Sequence, residues 1–186
     1  MKKIFFTILL SAFIFNCKAQ TYPLNTNTDV PTGAYIKDIN NELLPYEGTW
    51  QATWGNKTFT LYLIKIKKLL DHKENNPYYK DVLVGKFKVL DSSGNILFDN
   101  TNLPDNDTKI EGGGFIKNTD KYLLRYSDVD ICNMSGWIYI NFTNPTKTQL
   151  NWKFSDMTDI ITPDCPYYNA NPFPQPLPAN IVLTKQ

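Results

Sequence analysis

In residues 45–63, PYEGTWQATWGNKTFTLYL, side chains alternate about a Gly55–Asn56 turn signal. Trp50, Ala52 and Trp54 fall on one side of an extended segment, and Thr49, Gln51 and Thr53 fall on the other. Successive side chains of a strand point to opposite faces, and Asn and Gly supply the backbone angles of a tight hairpin, so this stretch constrains the fold to paired antiparallel strands. The pattern recurs. SSGN (Ser92–Asn95) and NPTKT (Asn144–Thr148) separate further segments rich in aromatic and β-branched residues. Strands are expected near 47–54, 58–67, 82–90, 95–99, 121–127, 136–142, 149–154 and 180–184. YIKDINNELL, residues 35–44, is the best candidate for one short helix.

Leu150, Trp152 and Phe154 alternate with Asn151 and Lys153, and Leu83, Gly85, Phe87 and Val89 mostly alternate with polar neighbours. One buried and one wet face per strand is the mark of an antiparallel sheet enclosing its core. TFTLYLIKIKK and GWIYINF are apolar on both faces, which calls for a cover on the outside: the leader, the Pro-rich tail or another subunit. Parallel pairing would need helical crossovers for which there is little sequence. The expected fold is therefore all-β, an antiparallel meander of about eight strands closed into a barrel, with a short N-terminal helix or leader and a Pro-rich C-terminal strap. Such a barrel is just wide enough to be filled by side chains or to hold one small ligand.

The N-terminus bounds the setting. MKKIFFTILLSAFIFNCKAQ has a basic start, an apolar run from Ile4 to Phe15 and small or polar residues after it, the layout of a secretory signal. The run is shorter than the ~20 residues of a membrane-spanning helix. Two processing routes stay open. Cys17, with Ile14 three positions before it, suits lipidation after removal of residues 1–16, although Asn16 is larger than the small residue usual there. Cleavage after Ala19 instead removes 1–19. Either way, residues 20–45 form a leader and 46–186 a single barrel domain, and the chain is expected to be periplasmic or lipid-anchored to the cell envelope, touching a membrane only through Cys17.

Cleavage before Gln20 takes Lys2, Lys3 and Lys18 from the 19 basic residues and none of the 18 acidic ones, a formal −2. That balance offers no basic field for nucleic acid. Arg125 is the only arginine, so a clamp built from several guanidinium groups is excluded. Cys132 and Cys165 remain after export and are read as a disulfide closing a loop of about 34 residues. The alternative, a catalytic thiol, would need a histidine, and the chain has only His72, in the polar stretch LLDHKENNPYY.

Other chemistry finds little purchase. Asp105 and Asp107, like Asp128 and Asp130, are oxygen ligands two apart, but neither pair continues with the Gly and Glu of a hand-type calcium loop. One histidine and two separated cysteines make no zinc site. No Gly-x-Ser-x-Gly elbow occurs, and EGGGF (Glu111–Phe115) lacks the Lys-Ser/Thr of a phosphate loop and reads as a mobile loop. No catalytic residue, cofactor or metal is assigned, and an enzyme is disfavoured by elimination.

The aromatics remain: four Trp and eleven Tyr, types that serve in cores and also line ligand sites. Trp50 is assigned as a structural plug at the barrel's closed end, and Trp54, Tyr62 and Trp152 as candidate walls of a pocket. TPDCPYYNANPFPQPLPANIV, with six prolines between Pro163 and Pro178, is read as a strap over one barrel end that turns Tyr167, Tyr168 and Phe173 inward or toward a partner. Two readings follow: a non-catalytic binder of a small apolar ligand inside the barrel, or an envelope protein-interaction module whose barrel is filled.

GTW, residues 48–50, resembles the Gly-x-Trp opening of lipocalins and avidin-like barrels, which implies a barrel whose tryptophan closes the lower end. Arg125 is a loose counterpart of the arginine that packs on that tryptophan in lipocalins. A Thr-Asp-Tyr signature is missing. YPLNT, YIKDINNELLPYEGTW, YYKDVLVGKF, LDSSGNIL and IVLTKQ together resemble a family of small exported Bacteroidota proteins classed as a domain of unknown function; the resemblance implies export and brings no activity.

Overall fold

The computed structural model describes residues 20–26, 29–71 and 76–186. The expected signal segment with Cys17, and His72, lie outside the described residues. The strands are β1 (Thr21–Pro23), β2 (Tyr35–Lys37), β3 (Gly48–Trp54), β4 (Lys57–Leu70), β5 (Tyr78–Leu90), β6 (Ile96–Asp99), β7 (Ile110–Phe115), β8 (Tyr122–Asp128), β9 (Met134–Phe142), β10 (Gln149–Asp156) and β11 (Asn180–Lys185). Among the described residues there is no α-helix; YIKDINNELL, the candidate helix, gives β2 and then a 3-10 turn at Leu44–Tyr46.

Eight strands close on themselves. β3 pairs β4, β4 pairs β5, β5 pairs β7, and β7 to β11 follow in sequence before β11 returns to β3, every pairing antiparallel. The barrel is thus an up-and-down meander with one departure from the sequence reading. The segment expected near 95–99 is β6, which lies outside the ring against the upper part of β5. Its place in the ring goes to β7, built on the glycine run expected to be a loop.

Alternation decides what fills the barrel. Trp50, Phe59, Leu61, Leu63, Leu83, Phe87, Leu124, Tyr126, Ile138, Leu150 and Trp152 are fully buried or nearly so. Rings meet along the interior: Phe154 with Tyr126 at 5.8 Å, Tyr126 with Phe87 at 6.2 Å, Phe87 with Phe59 at 6.0 Å and Phe59 with Trp152 at 5.4 Å. At the end where β3 begins, Tyr46 stacks within 4.3 Å of Phe142 and packs near Tyr122 and Phe115. Both buried indoles find an acceptor, as a buried N–H must: Trp50 Nε1 donates to Tyr46 O at 2.8 Å and Trp152 Nε1 to Pro178 O at 2.9 Å.

The strap works through its last residues. Pro176, Leu177 and Pro178 are buried under it, while Tyr167 and Tyr168 stay largely outside. The Cys132–Cys165 disulfide, Cα to Cα 5.6 Å, ties its start to the turn after β8.

β4 and β5 outrun the ring. β3 reaches no further along β4 than Leu63, yet the β4–β5 ladder continues to Leu70↔Tyr78. The extension is carried by β2, which pairs in parallel with β5 and with β1, and by a small second core of Val30, Ala34 and Ile36. The junction is polar and fully used. The buried Asp38 carboxylate accepts from Glu42 N, Leu43 N and Lys65 Nζ, and Asp81 accepts from Asp38 N and from Tyr35 Oη at 2.5 Å. Burial, reinforced by that Asp81 bond, pushes the Tyr35 hydroxyl up to about 12.

Candidate functional site

The overrun opens the wall. Between β5 and β7 only Val84↔Glu111 and Gly85↔Ile110 are in register. Below them the edge of β5 belongs to β2, so β7 parts from it. Leu83 N–H, which a continued ladder would pair, donates instead to the Tyr122 hydroxyl at 3.3 Å. Gly112 makes room for that hydroxyl: a Cβ there would stand 2.5 Å from Tyr122 Oη and 2.8 Å from Leu83 O. Gly113 is then the extra residue of a bulge, since Gly112 faces Leu124 while Gly114 faces Leu123.

Outside this parting runs a groove of about 650 Å³, lined by residues of the overrunning hairpin and of β7, β8 and β9. Register sets one side of it. Glu111, Arg125 and Trp137 stand directly opposite one another on β7, β8 and β9, hence on one face. The hairpin supplies Lys68 and Lys80. Lys68 Nζ takes the Glu111 carboxylate at 2.5 Å, so the acid directly across from Arg125 is already engaged. The Arg125 guanidinium forms no hydrogen bond or ion pair among the described residues, and neither does the Trp137 indole N–H, on a side chain 39% exposed. Lys80 Nζ donates to Gly113 O at 3.1 Å, and burial lowers its ammonium from the ordinary lysine value. A partly buried ammonium and a guanidinium with no partner among the described residues, beside a half-open indole, make a surface that favours an anion carrying an apolar face.

The sequence-derived pocket residues do not come together. Trp152 is sealed inside the barrel. Tyr62 lies on the opposite face of β4 from the buried Leu61 and Leu63, on the outer wall. Trp54 is half-buried at the far end of β3 with Lys57 Nζ 4.5 Å above its ring, beside a hollow of about 250 Å³ that includes Phe154 and Leu177. Trp50 is buried at the end where β3 starts. Arg125 does not pack on it; Lys185 of β11 does, with Nζ 5.2 Å from the ring centre. Sequence reasoning missed Trp137, Lys80 and Lys68. The apolar-on-both-faces character of GWIYINF was the signal that pointed to Trp137.

The acidic pairs are also placed. Asp128 accepts from Lys109 Nζ, Asp130 N and Tyr126 Oη, which uses both of its oxygens. Asp105 pairs with Lys86 at 2.6 Å. Among the described residues no group of three or more His, Cys, Asp or Glu side chains is arranged to hold a metal ion.

These features define a closed, side-chain-filled, eight-stranded up-and-down β-barrel with a charged groove on its outer wall. The chain belongs to a family of unknown function, DUF6705, whose profile matches residues 1–186. Neither the curated proteins nor the solved structures contain a match.

Proposed function

We propose that this is an exported, non-catalytic recognition module that binds through its outer wall and not inside its barrel. The observation that carries the reading is the continuous run of rings from Phe154 to Trp152, which occupies the space a lipocalin-type guest would need, while the concave surface with unpaired polar groups lies outside. Export rests on the Lys2–Lys3 start and the apolar run to Phe15, and the lipid anchor on the position of Cys17. Of the two binding readings, a small apolar ligand or an envelope protein, the packed interior favours a partner met at the surface.

Two measurements test this. Native mass spectrometry of the protein purified from its own envelope is expected to give the mass of the processed chain, with or without an acyl group on Cys17, and no apolar guest. A stoichiometric apolar molecule whose retention falls on Trp54→Ala would overturn the reading. Photoreactive residues replacing Trp137, on the groove, and Thr53, exposed on β3 and outside the groove lining, are expected to crosslink differently in intact cells. Equal crosslinking from both positions counts against the groove.

A further inference from the structure

We infer that the groove between the overrunning hairpin and β7–β9 is a site for an acidic saccharide, a sugar unit bearing a carboxylate. The inference rests on the outer-wall reading above and names what that wall takes.

Three features of the lining select this chemistry. The first is positive charge without a partner. Lys68 neutralises Glu111, so among the described residues no acid joins the planar, five-donor guanidinium of Arg125, and Lys80 spends one bond on Gly113 O. A carboxylate that joined Arg125 would form the charge-assisted, bidentate pair that guanidinium geometry favours. The second is a flat aromatic wall. Trp137 neighbours Arg125 in register, its ring partly open and its N–H unpaired among the described residues, so one ring face and one cation sit side by side. A sugar acid presents the complement of that pair: a face of C–H groups and a carboxylate on the same ring. The third is the remainder of the lining. Asp71, Glu111 and the backbone of Gly112 and Gly113 line the same groove beside Leu69, Leu70 and Tyr78, a mixed lining that gives acceptors and donors for hydroxyls and apolar contact for C–H groups. The glycine run has a clear part here, since it leaves the floor without side chains. At about 650 Å³ the groove falls within the range of small-molecule sites.

The test uses the full processed chain and three probes: trigalacturonate, the neutral trisaccharide maltotriose and hexaglutamate. Binding is read by calorimetry and by tryptophan fluorescence at low and at physiological salt. Trigalacturonate is expected to bind and change the fluorescence, while maltotriose is not. Arg125→Gln and Trp137→Ala are each expected to weaken binding by about tenfold or more, the scale of one charge-assisted contact, with Arg125→Lys intermediate. Both side chains are on the outer wall, so an unchanged thermal midpoint shows that the variants fold. If maltotriose binds as well as trigalacturonate, or if Arg125→Gln leaves trigalacturonate binding intact, the inference falls. If hexaglutamate binds in an Arg125-dependent way and trigalacturonate does not, the saccharide is wrong and the outer-wall reading stands. If no probe binds, the inference falls alone, because the crosslinking and mass measurements judge the outer-wall reading separately.

Discussion

Replacing Gly112 by alanine tests the geometry that parts β7 from β5. The added Cβ would lie 2.5 Å from Tyr122 Oη, 2.8 Å from Leu83 O and 3.0 Å from Leu83 N. Ordinary contact begins at 3.4 Å, so the hydroxyl would have to retreat by about 0.9 Å, and the Leu83 carbonyl, which is backbone, has little freedom to move. Overpacking of this kind costs roughly 1–3 kcal/mol. Loss of the Leu83 N–H to Tyr122 bond adds about 1 kcal/mol. The expected destabilisation is therefore about 2–4 kcal/mol, and at ~2–4 °C per kcal/mol for a domain of this size the thermal midpoint falls by roughly 4–16 °C. Gly113→Ala is the matched control. Its Cβ would meet only Leu123, no closer than 3.5 Å, and its cost is expected to stay below about 1 kcal/mol. Urea unfolding of both variants, and of Gly112→Ala in a Tyr122→Phe background, completes the cycle. Removing the hydroxyl relieves the closest clash but not the one with Leu83 O, so a coupling of about 1 kcal/mol is expected. Two results would refute the reasoning: Gly112→Ala within about 0.5 kcal/mol of the parent, or the two glycine variants equally unstable.

Trp152→Ala should cost about 3–5 kcal/mol and leave a cavity in the barrel axis; thermal unfolding with and without added indole checks both, with the indole raising the midpoint of the variant alone. Burial, aided by Asp120, pushes the Tyr46 hydroxyl up to about 12. With an unfolded value near 10, its contribution is complete below pH 10 and is lost as pH rises from 10 to 12, roughly 2–3 kcal/mol in all. Urea unfolding at pH 9 and pH 11 should show the decline, smaller in Tyr46→Phe. Reduction of Cys132–Cys165, or the Cys132→Ser/Cys165→Ser pair, should lower stability by about 3–4 kcal/mol on the chain-entropy estimate, measured by denaturant titration with and without reductant.

The hairpins were legible because their turn chemistry is local: Gly55–Asn56, Ser92–Asn95 and Asn144–Thr148 each join segments that do pair or lie at a ladder's end. β7 was not legible. Ile110–Phe115 contains three glycines, which lower strand propensity; at Gly112 a side chain would collide with Tyr122 and Leu83, and Gly114 has a φ of +132°. β6, with ILFD, looks like a better strand than β7 and yet lies outside the ring. The groove shows the same limit. That Arg125 is the sole arginine is plain in the sequence; that it stands beside Trp137 depends on the β8–β9 register, and that it stands beside Glu111 on a bulge at Gly113, and neither leaves a local signature. Tyr62 was placed with the interior although it alternates with Leu61 and Leu63, because that strand is apolar on both faces and its period gives no orientation.

β11 gives the barrel a late-closing seam. It joins β3 through Thr184↔Gln51 and Lys185↔Trp50, and Lys185 Nζ reaches Pro45 O across 140 positions of sequence. Contacts of such span repay their loop-closure entropy only once formed, and they slow folding. A chain delivered from its N-terminus, at synthesis or on export, would present β3 to β10 as an open sheet with two unpaired edges until β11 arrived, so the cylinder could form only once Asn180–Lys185 had followed. A chain truncated before Asn180 is thereby a folding intermediate in its own right, and the edges of β3 and β10 are where it should aggregate.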